Sequence, residues 1–316
     1  MIFGGAGFIG GRLAKRLASR GDRVVIADVN EPDRLHEHAS YRKVDVRETP
    51  PQDLAAGPGT VVYLLAALRP DADREPHEHF ETNVSGAREI ASFAAARGVR
   101  KLVFTSSIAV YGPGDEEKTE AARPAPVGAF AWSKLLAERV LEDWADAGAD
   151  RNLVIARPAI VFGPGEDGAF AELAAALARK LFAYPGPAHA VRDCCYVDDL
   201  IESFEFALRY GRKTMLYNFA FPEHYDFADI CEAFHEAAGL PLPLHSSPAP
   251  VARLAAGLFD ALARIGLSHG PGRARLARLP ADAQITPQVL LEMGFRFPRD
   301  LSGALSDWRD DAGALR

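Results

Sequence analysis

Gly4, Gly7 and Gly10 recur every third residue in the opening run Gly4-Gly5-Ala6-Gly7-Phe8-Ile9-Gly10, and Asp28 follows Gly10 by 18 residues. Glycines so spaced permit a tight turn, close backbone approach to a diphosphate, and close packing of the next helix on a sheet. The amides at that helix's N-terminus, around Phe8 and Ile9, then face the phosphates. A carboxylate about 20 residues further on suits the two hydroxyls of an adenosine ribose. Asp28 would repel a 2′-phosphate, and Val29-Asn30-Glu31 places no arginine beside it. The pattern therefore favours NAD over NADP, with Gly4, Gly7, Phe8, Ile9, Gly10, Asp28 and Asn30 as expected contacts.

Such a site needs strands and helices in alternation to hold it. Strand-like runs are expected at Val24–Ala27, Lys43–Val46, Thr60–Leu65, Lys101–Thr105, Leu153–Ala156 and Leu216–Phe219, with amphipathic helices at Gly11–Arg20, Phe80–Arg97 and Ala129–Ala147. Short apolar strands alternating with helices imply an α/β fold, a doubly wound parallel Rossmann sheet whose strand-end loops share one carboxyl edge. Only Met1, Ile2 and Phe3 precede the glycines, so either the first strand is short or the chain starts upstream of Met1. After about residue 164, Pro and Gly punctuate the sequence at Gly163-Pro164-Gly165, Pro185-Gly186-Pro187 and Gly270-Pro271-Gly272. The expected division is a cofactor domain at 1–164 and a smaller C-terminal substrate-binding region at 165–316, with 191–220 returning to the sheet.

Composition narrows the partners. A net charge of −7 over 316 residues argues against nucleic acid, which calls for a basic face. No apolar run approaches the roughly 20 residues of a membrane span, and no basic leader precedes an apolar stretch. Cys194, Cys195 and Cys231 form an odd set with no disulfide spacing, which fits reduced thiols and a cytoplasmic protein. His36/His38 and His77/His79 read as solvated loop histidines, and no metal site is expected.

The glycine run with Asp28 resembles the extended short-chain dehydrogenase/reductase family, the NAD-dependent nucleotide-sugar epimerases and dehydratases. Further motifs come in that family's order. Asp45-Val46 resembles its adenine-contacting pair, Leu65-Ala66-Ala67 the strand-four loop under the cofactor, and Asn83-Val84-x-Gly86 its helix-four motif. Phe104-Thr105-Ser106-Ser107-Ile108-Ala109-Val110-Tyr111-Gly112 is the most specific match, carrying the family's serine at Ser107. Arg157-Pro158-x-x-Val161-Phe162-Gly163-Pro164-Gly165 and Arg192-Asp193-x-x-Tyr196-Val197-Asp198-Asp199 complete the set, strongly to about Leu208 and loosely beyond. The resemblance implies NAD contacts at Asp45, Val46, Leu65, Ala66, Ala67, Asn83, Thr105, Lys134, Pro158 and Ile160. It also implies a small-molecule substrate and a homodimer formed through the Phe80–Arg97 and Ala129–Ala147 helices. Asp199-Leu200-Ile201-Glu202 fits a capping box, so Asp199 is expected to start a helix.

The resemblance implies hydride transfer beside a Tyr-x-x-x-Lys helix, whose two side chains share one face. In that scheme the lysine holds the nicotinamide ribose and lowers the tyrosine's pKa, the tyrosine takes the substrate's hydroxyl proton, and the serine holds the same hydroxyl. Here the stretch reads Phe130-Ala131-Trp132-Ser133-Lys134. Ser107 and Lys134 are in place, but a phenyl ring at Phe130 cannot move a proton. Three readings stay open: a deliberate Tyr-to-Phe change, a natural variant working through Ser107 and water, or a protein that binds NAD without catalysis.

Substrate follows from the same comparison. Sugar 4,6-dehydratases carry an Asp-Glu pair after the serine, where this chain has Ile108-Ala109, so dehydration is not expected. The resemblance implies that Arg192 binds a substrate diphosphate, as a guanidinium fork can, and that Arg273 and Arg275 lie in a segment where relatives bind phosphates. Ile160 replaces the usual Asn, removing one expected hydrogen bond to the diphosphate. A sugar-nucleotide epimerase or dehydrogenase/reductase is the leading expectation. A non-catalytic NAD-binding protein and a steroid- or polyol-type dehydrogenase are the alternatives.

Overall fold

The computed structural model describes residues 1–69, 74–114, 116–180, 182, 190–243 and 284–312. Its strands are β1 (Ile2–Phe3), β2 (Val24–Asp28), β3 (Ala39–Lys43), β4 (Val61–Leu64), β5 (Lys101–Thr105), β6 (Glu117–Lys118), β7 (Asn152–Pro158), β8 (Ile160–Phe162), β9 (Cys194–Tyr196), β10 (Thr214–Phe219) and β11 (Gln284–Ile285). Seven of them form a sheet in the order β10-β7-β5-β4-β1-β2-β3, every pair parallel. Parallel strands covered on both faces read as continuous apolar runs, and every residue of β7 is accordingly buried. β1 is only two residues long yet lies inside the sheet between β4 and β2, with Ile2 opposite both Ile26 and Tyr63.

The helices are α1 (Phe8–Ser19), α2 (Pro76–Phe80), α3 (Gly86–Ala96), α4 (Gly128–Asp146), α5 (Ala169–Ala178), α6 (Val197–Arg209), α7 (Phe227–Ala238), α8 (Gln288–Glu292) and α9 (Leu301–Ala312), with a π-helical turn at Glu81–Ser85 and a 3₁₀ turn at Ile108–Tyr111. On one face of the sheet α3 and α4 bury Ile90, Leu141 and Trp144 with Leu64 and Phe104. On the other, α1 and α6 bury Leu13, Ile201 and Phe204 with Ile26 and Val103. A separate cluster draws α5, α7 and α9 together around Phe162, stacked on Phe170 with ring centroids 4.3 Å apart, and Trp308. Among the described residues no helix is long and apolar enough to cross a membrane.

Several local expectations are corrected. The strand expected at Lys43–Val46 lies earlier, at Ala39–Lys43, because its partner β2 ends at Asp28, opposite Lys43. α1 begins at Phe8, not Gly11, since the glycines themselves enter the helix. The helix expected from Phe80 starts at Pro76, where Glu75 and Glu78 form a reciprocal capping box and proline supplies a preset φ. His77 and His79 therefore lie on α2 rather than in a loop, and His79 is buried. Asp199 is no N-cap. That position belongs to Tyr196, and Asp199 sits inside the first turn of α6, buried against Arg299.

Candidate active site

The strand order reverses at β1 and β4, so the loops leaving their carboxyl ends diverge and open the crevice where ligands of such sheets bind. Gly4 occupies the first turn of that crevice at φ +82°, and a Cβ there would lie 2.4 Å from the Ala66 nitrogen. A Cβ on Gly10 would lie 2.1 Å from the Gly4 carbonyl oxygen. Glycine at both positions is thus what lets α1 press onto the β1 turn and the Leu65-Ala66-Ala67 segment press onto the loop. Leu65 and Ala66 both donate their amides to the Phe3 carbonyl, at 2.8 and 3.0 Å. Gly7 is the N-cap of α1, and no side chain caps that helix.

Asp28 ends β2 with both carboxylate oxygens oriented: one accepts from the Ala6 amide and the other from the Asn30 amide, each at 3.0 Å. The first bond ties the carboxylate to the glycine loop itself. Asp45 is gripped by the Arg47 guanidinium at 2.6–3.0 Å, which holds its carboxyl below the usual range. Val46 packs on Gly86, where an added Cβ would come within 3.0 Å of it. An uncapped helix N-terminus, a loop crowded to the point of excluding side chains, and an oriented carboxylate on the neighbouring strand fit a dinucleotide.

The second half of the site is built by α4 against the end of β5. Lys134 is 3% exposed, and its Nζ donates to the Thr105 carbonyl at 2.8 Å and lies 5.0 Å from the Phe104 ring centroid. Burial pulls its ammonium down to about 7, with Glu138 opposing. Ser107 follows at the head of the 3₁₀ turn, its Oγ accepting from the Ala109 amide at 3.1 Å. Asn83, on the π-helical turn, donates to Ser133 Oγ at 2.8 Å, and Ser133 donates to the Phe130 carbonyl at 2.8 Å. These bonds fix the α4 turn carrying Phe130. The Phe130 ring meets the buried His79 imidazole edge-on, ring centroids 5.9 Å apart.

Sequence reading missed what stands behind Lys134. Glu138, one turn further along α4, accepts from Arg157 through both oxygens, at 2.9 and 2.6 Å, in a pair with side chains 1% and 4% exposed. Arg157 also donates to Tyr111 Oη at 2.9 Å, and Tyr111 donates to Asn218 Oδ1 at 2.7 Å. Asn218 in turn donates to the carbonyls of Lys118 and Thr286, at 3.2 Å each. The spacing Phe130, Lys134, Glu138 (i, i+4, i+8) was the available signal, since it places all three on one helix face.

The remaining expected cofactor and substrate residues are only partly gathered. Pro158 ends β7 and Ile160 begins β8, opposite Cys194. Arg192 lies beside α7, its guanidinium carbon 4.9 Å from the Phe227 ring centroid and one nitrogen donating to the Val191 carbonyl at 2.7 Å. Arg273 and Arg275 lie outside the described residues. No cluster of three or more metal-ligating side chains occurs among the described residues.

Comparison with known proteins adds the lineage. The model of the NAD dependent epimerase/dehydratase family matches residues 1–220. The chain is 26% identical to the N-acetyl-alpha-D-glucosaminyl-diphospho-ditrans,octacis-undecaprenol 4-epimerase of Escherichia coli O157:H7, covering 96% of this chain and 92% of that one. It is 28% identical to a UDP-glucose 4-epimerase of Neisseria meningitidis serogroup C, covering 84% and 91%. Its fold is similar to that of a UDP-glucuronic acid 4-epimerase from Bacillus cereus solved with NAD, at a TM-score of 0.75, 20% identity, and 99% and 97% coverage.

Proposed function

Since the chain belongs to the NAD dependent epimerase/dehydratase family, we propose that it is an NAD-using epimerase of a sugar carried on a diphosphate. The observation that carries the reading is the pairing of two half-sites along one sheet edge: the glycine loop with Asp28, and Ser107 with Lys134 at the end of β5. The named relatives support the substrate class. One acts on a lipid-diphosphate-linked N-acetylglucosamine and the other on UDP-glucose, and a glycosyl diphosphate is common to both.

In this reading the α1 amides and the Gly4–Gly10 loop bind the cofactor's diphosphate, and Asp28 binds its adenosine ribose. Asp45, Val46 and the Leu65–Ala67 segment border the adenine and the dinucleotide path. Asn83, Thr105, Pro158 and Ile160 line the nicotinamide half, and Lys134 reaches its ribose. When bound, NAD would supply reversible hydride exchange with the sugar's carbinol carbon. Ser107 holds the sugar's hydroxyl, while Phe130 and His79 fill space beside it and keep water out. Arg192 faces the diphosphate end. Trp132 and Leu136 lie exposed on α4, which supports a homodimer built on the α3 and α4 faces.

The test measures NAD binding by calorimetry and then follows C4 inversion of UDP-glucose, UDP-N-acetylglucosamine and undecaprenyl-diphospho-N-acetylglucosamine by chromatography. Interconversion of one of these pairs is the expected result. NAD binding with no turnover of any glycosyl diphosphate would replace this reading with a non-catalytic NAD-binding protein. Net reduction of NAD by a polyol or steroid alcohol would replace it with a dehydrogenase.

A further inference from the structure

The proposed reaction releases a proton from the sugar hydroxyl, and residue 130, where the family places the acceptor, is a phenyl ring. The buried groups around α4 show where the proton can go. We infer that Lys134 Nζ takes the substrate's hydroxyl proton in this chain, and that Arg157 makes this feasible by occupying the Glu138 carboxylate that would otherwise hold the ammonium. This rests on the epimerase reading above and goes beyond it.

The geometry is specific. Lys134 is buried at the foot of the site, and the acceptor of its described hydrogen bond is a neutral carbonyl, that of Thr105. The nearest acid on its helix, Glu138, points both oxygens at Arg157, and the described ion pair of Glu138 is with Arg157. A buried amine without a dedicated countercharge loses its proton readily, the circumstance in which lysines become general bases. The lowered ammonium pKa is consistent with this.

The titratable groups packed around Lys134 have the following described contacts. Tyr111, on the 3₁₀ turn, is committed to Arg157 and Asn218, and burial raises its phenol. From α2, His79 meets Phe130 with its ring. From the π-helical turn and α3, Glu81 and Arg88 are exposed and Glu89 bonds Thr49. On α4 itself Arg139 and Glu142 pair with each other. Arg157 from β7 stays protonated, since Glu138 and Tyr111 outweigh the burial that opposes its charge.

The step balances. The carbinol C–H bond breaks with its electron pair passing to the nicotinamide, and the O–H bond breaks with its proton relayed by the Ser107 hydroxyl to Nζ. The O–H pair becomes the second bond of the carbonyl, and the neutral amine ends as an ammonium. The reverse transfers regenerate the alcohol and the amine.

The test combines carbon-13 NMR of labelled lysine in the cofactor-free protein with pH profiles of kcat on the glycosyl diphosphate that is turned over. Lys134 is expected to titrate at about 7, well below an exposed lysine. Glu138→Gln keeps a hydrogen-bonding partner for Arg157 but removes the negative charge, so the Lys134 midpoint and the acid limb of kcat should both move down, by about half a unit or more. Arg157→Leu frees Glu138, so both should move up, and the Gln variant still decides the matter if the Leu variant does not fold. Lys134→Met should abolish the limb and cut kcat at least about hundredfold. An acid limb that survives Lys134→Met, or that stays fixed in Glu138→Gln while the NMR midpoint moves, overturns the inference and leaves the epimerase reading intact. Absence of turnover in the parent protein, with NAD bound, defeats both.

Discussion

The buried His79 imidazole abuts the half-buried Phe130 ring edge-on, 5.9 Å between centroids, where α2 packs against α4. The contact packs His79 against the ring that the proposed function sets beside the substrate. It also bears on the outcome of placing a phenol there.

Phe130→Tyr adds one hydroxyl to a ring already held by His79 and by the Ser133 bond to its carbonyl. Proton-transfer groups contribute roughly 10²–10⁴ in rate. The substitution is therefore expected to raise kcat at least about tenfold with NAD affinity unchanged, as read by steady-state kinetics beside calorimetry. An unchanged kcat would mean that the hydroxyl finds no substrate proton to move.

Asp28→Asn keeps the shape of the residue that bonds Ala6 and Asn30 but removes its charge. Hydrogen bonds to charged groups contribute about 1.5–3 kcal/mol, so NAD binding should weaken roughly tenfold to hundredfold while NADP binding holds or improves. Isothermal titration with both dinucleotides checks this. Equal losses for the two would show that Asp28 does not read the ribose.

Asp199 gives the pH dependence. Burial pushes its carboxyl up to about 6 despite the Arg299 guanidinium beside it. Between the ordinary carboxylate range and about 6 the folded protein holds a proton that the unfolded chain has released. The contribution of Asp199 to stability therefore falls as pH rises through that window. Asp199→Asn should flatten this part of the stability curve between about pH 4 and 6, measured by denaturant melts at several pH values. A slope that persists in the variant would place its origin in another group.

Legibility followed locality. The glycine loop, α1, β2 and Asp28 are neighbours in sequence, and each step from turn to helix to strand has a short-range signature, so the order of these elements was readable at once. The helix placing Phe130 and Lys134 together was equally plain from its i, i+4 spacing. The exact starts of α1 and α2 were not, because glycines and a Glu75–Glu78 capping box extended helices past their apolar stripes. Asp199 went astray for a related reason: its local pattern matched a cap, but an arginine 100 residues away claimed the carboxylate.

Residue types and spacings alone pointed to a dinucleotide site at the head of the chain and to a Phe130-x-x-x-Lys134 helix without a phenol, because both are patterns of nearby residues. What surrounds Lys134 was decided only by folding. Arg157 is 19 residues from Glu138 and Asn218 is 107 from Tyr111. Only the parallel stacking of β5, β7 and β10 against α4 brings those groups together. The ionisation of a buried lysine depends on which of its neighbours are already neutralised, and that is a fact of three-dimensional packing that no spacing along the chain records.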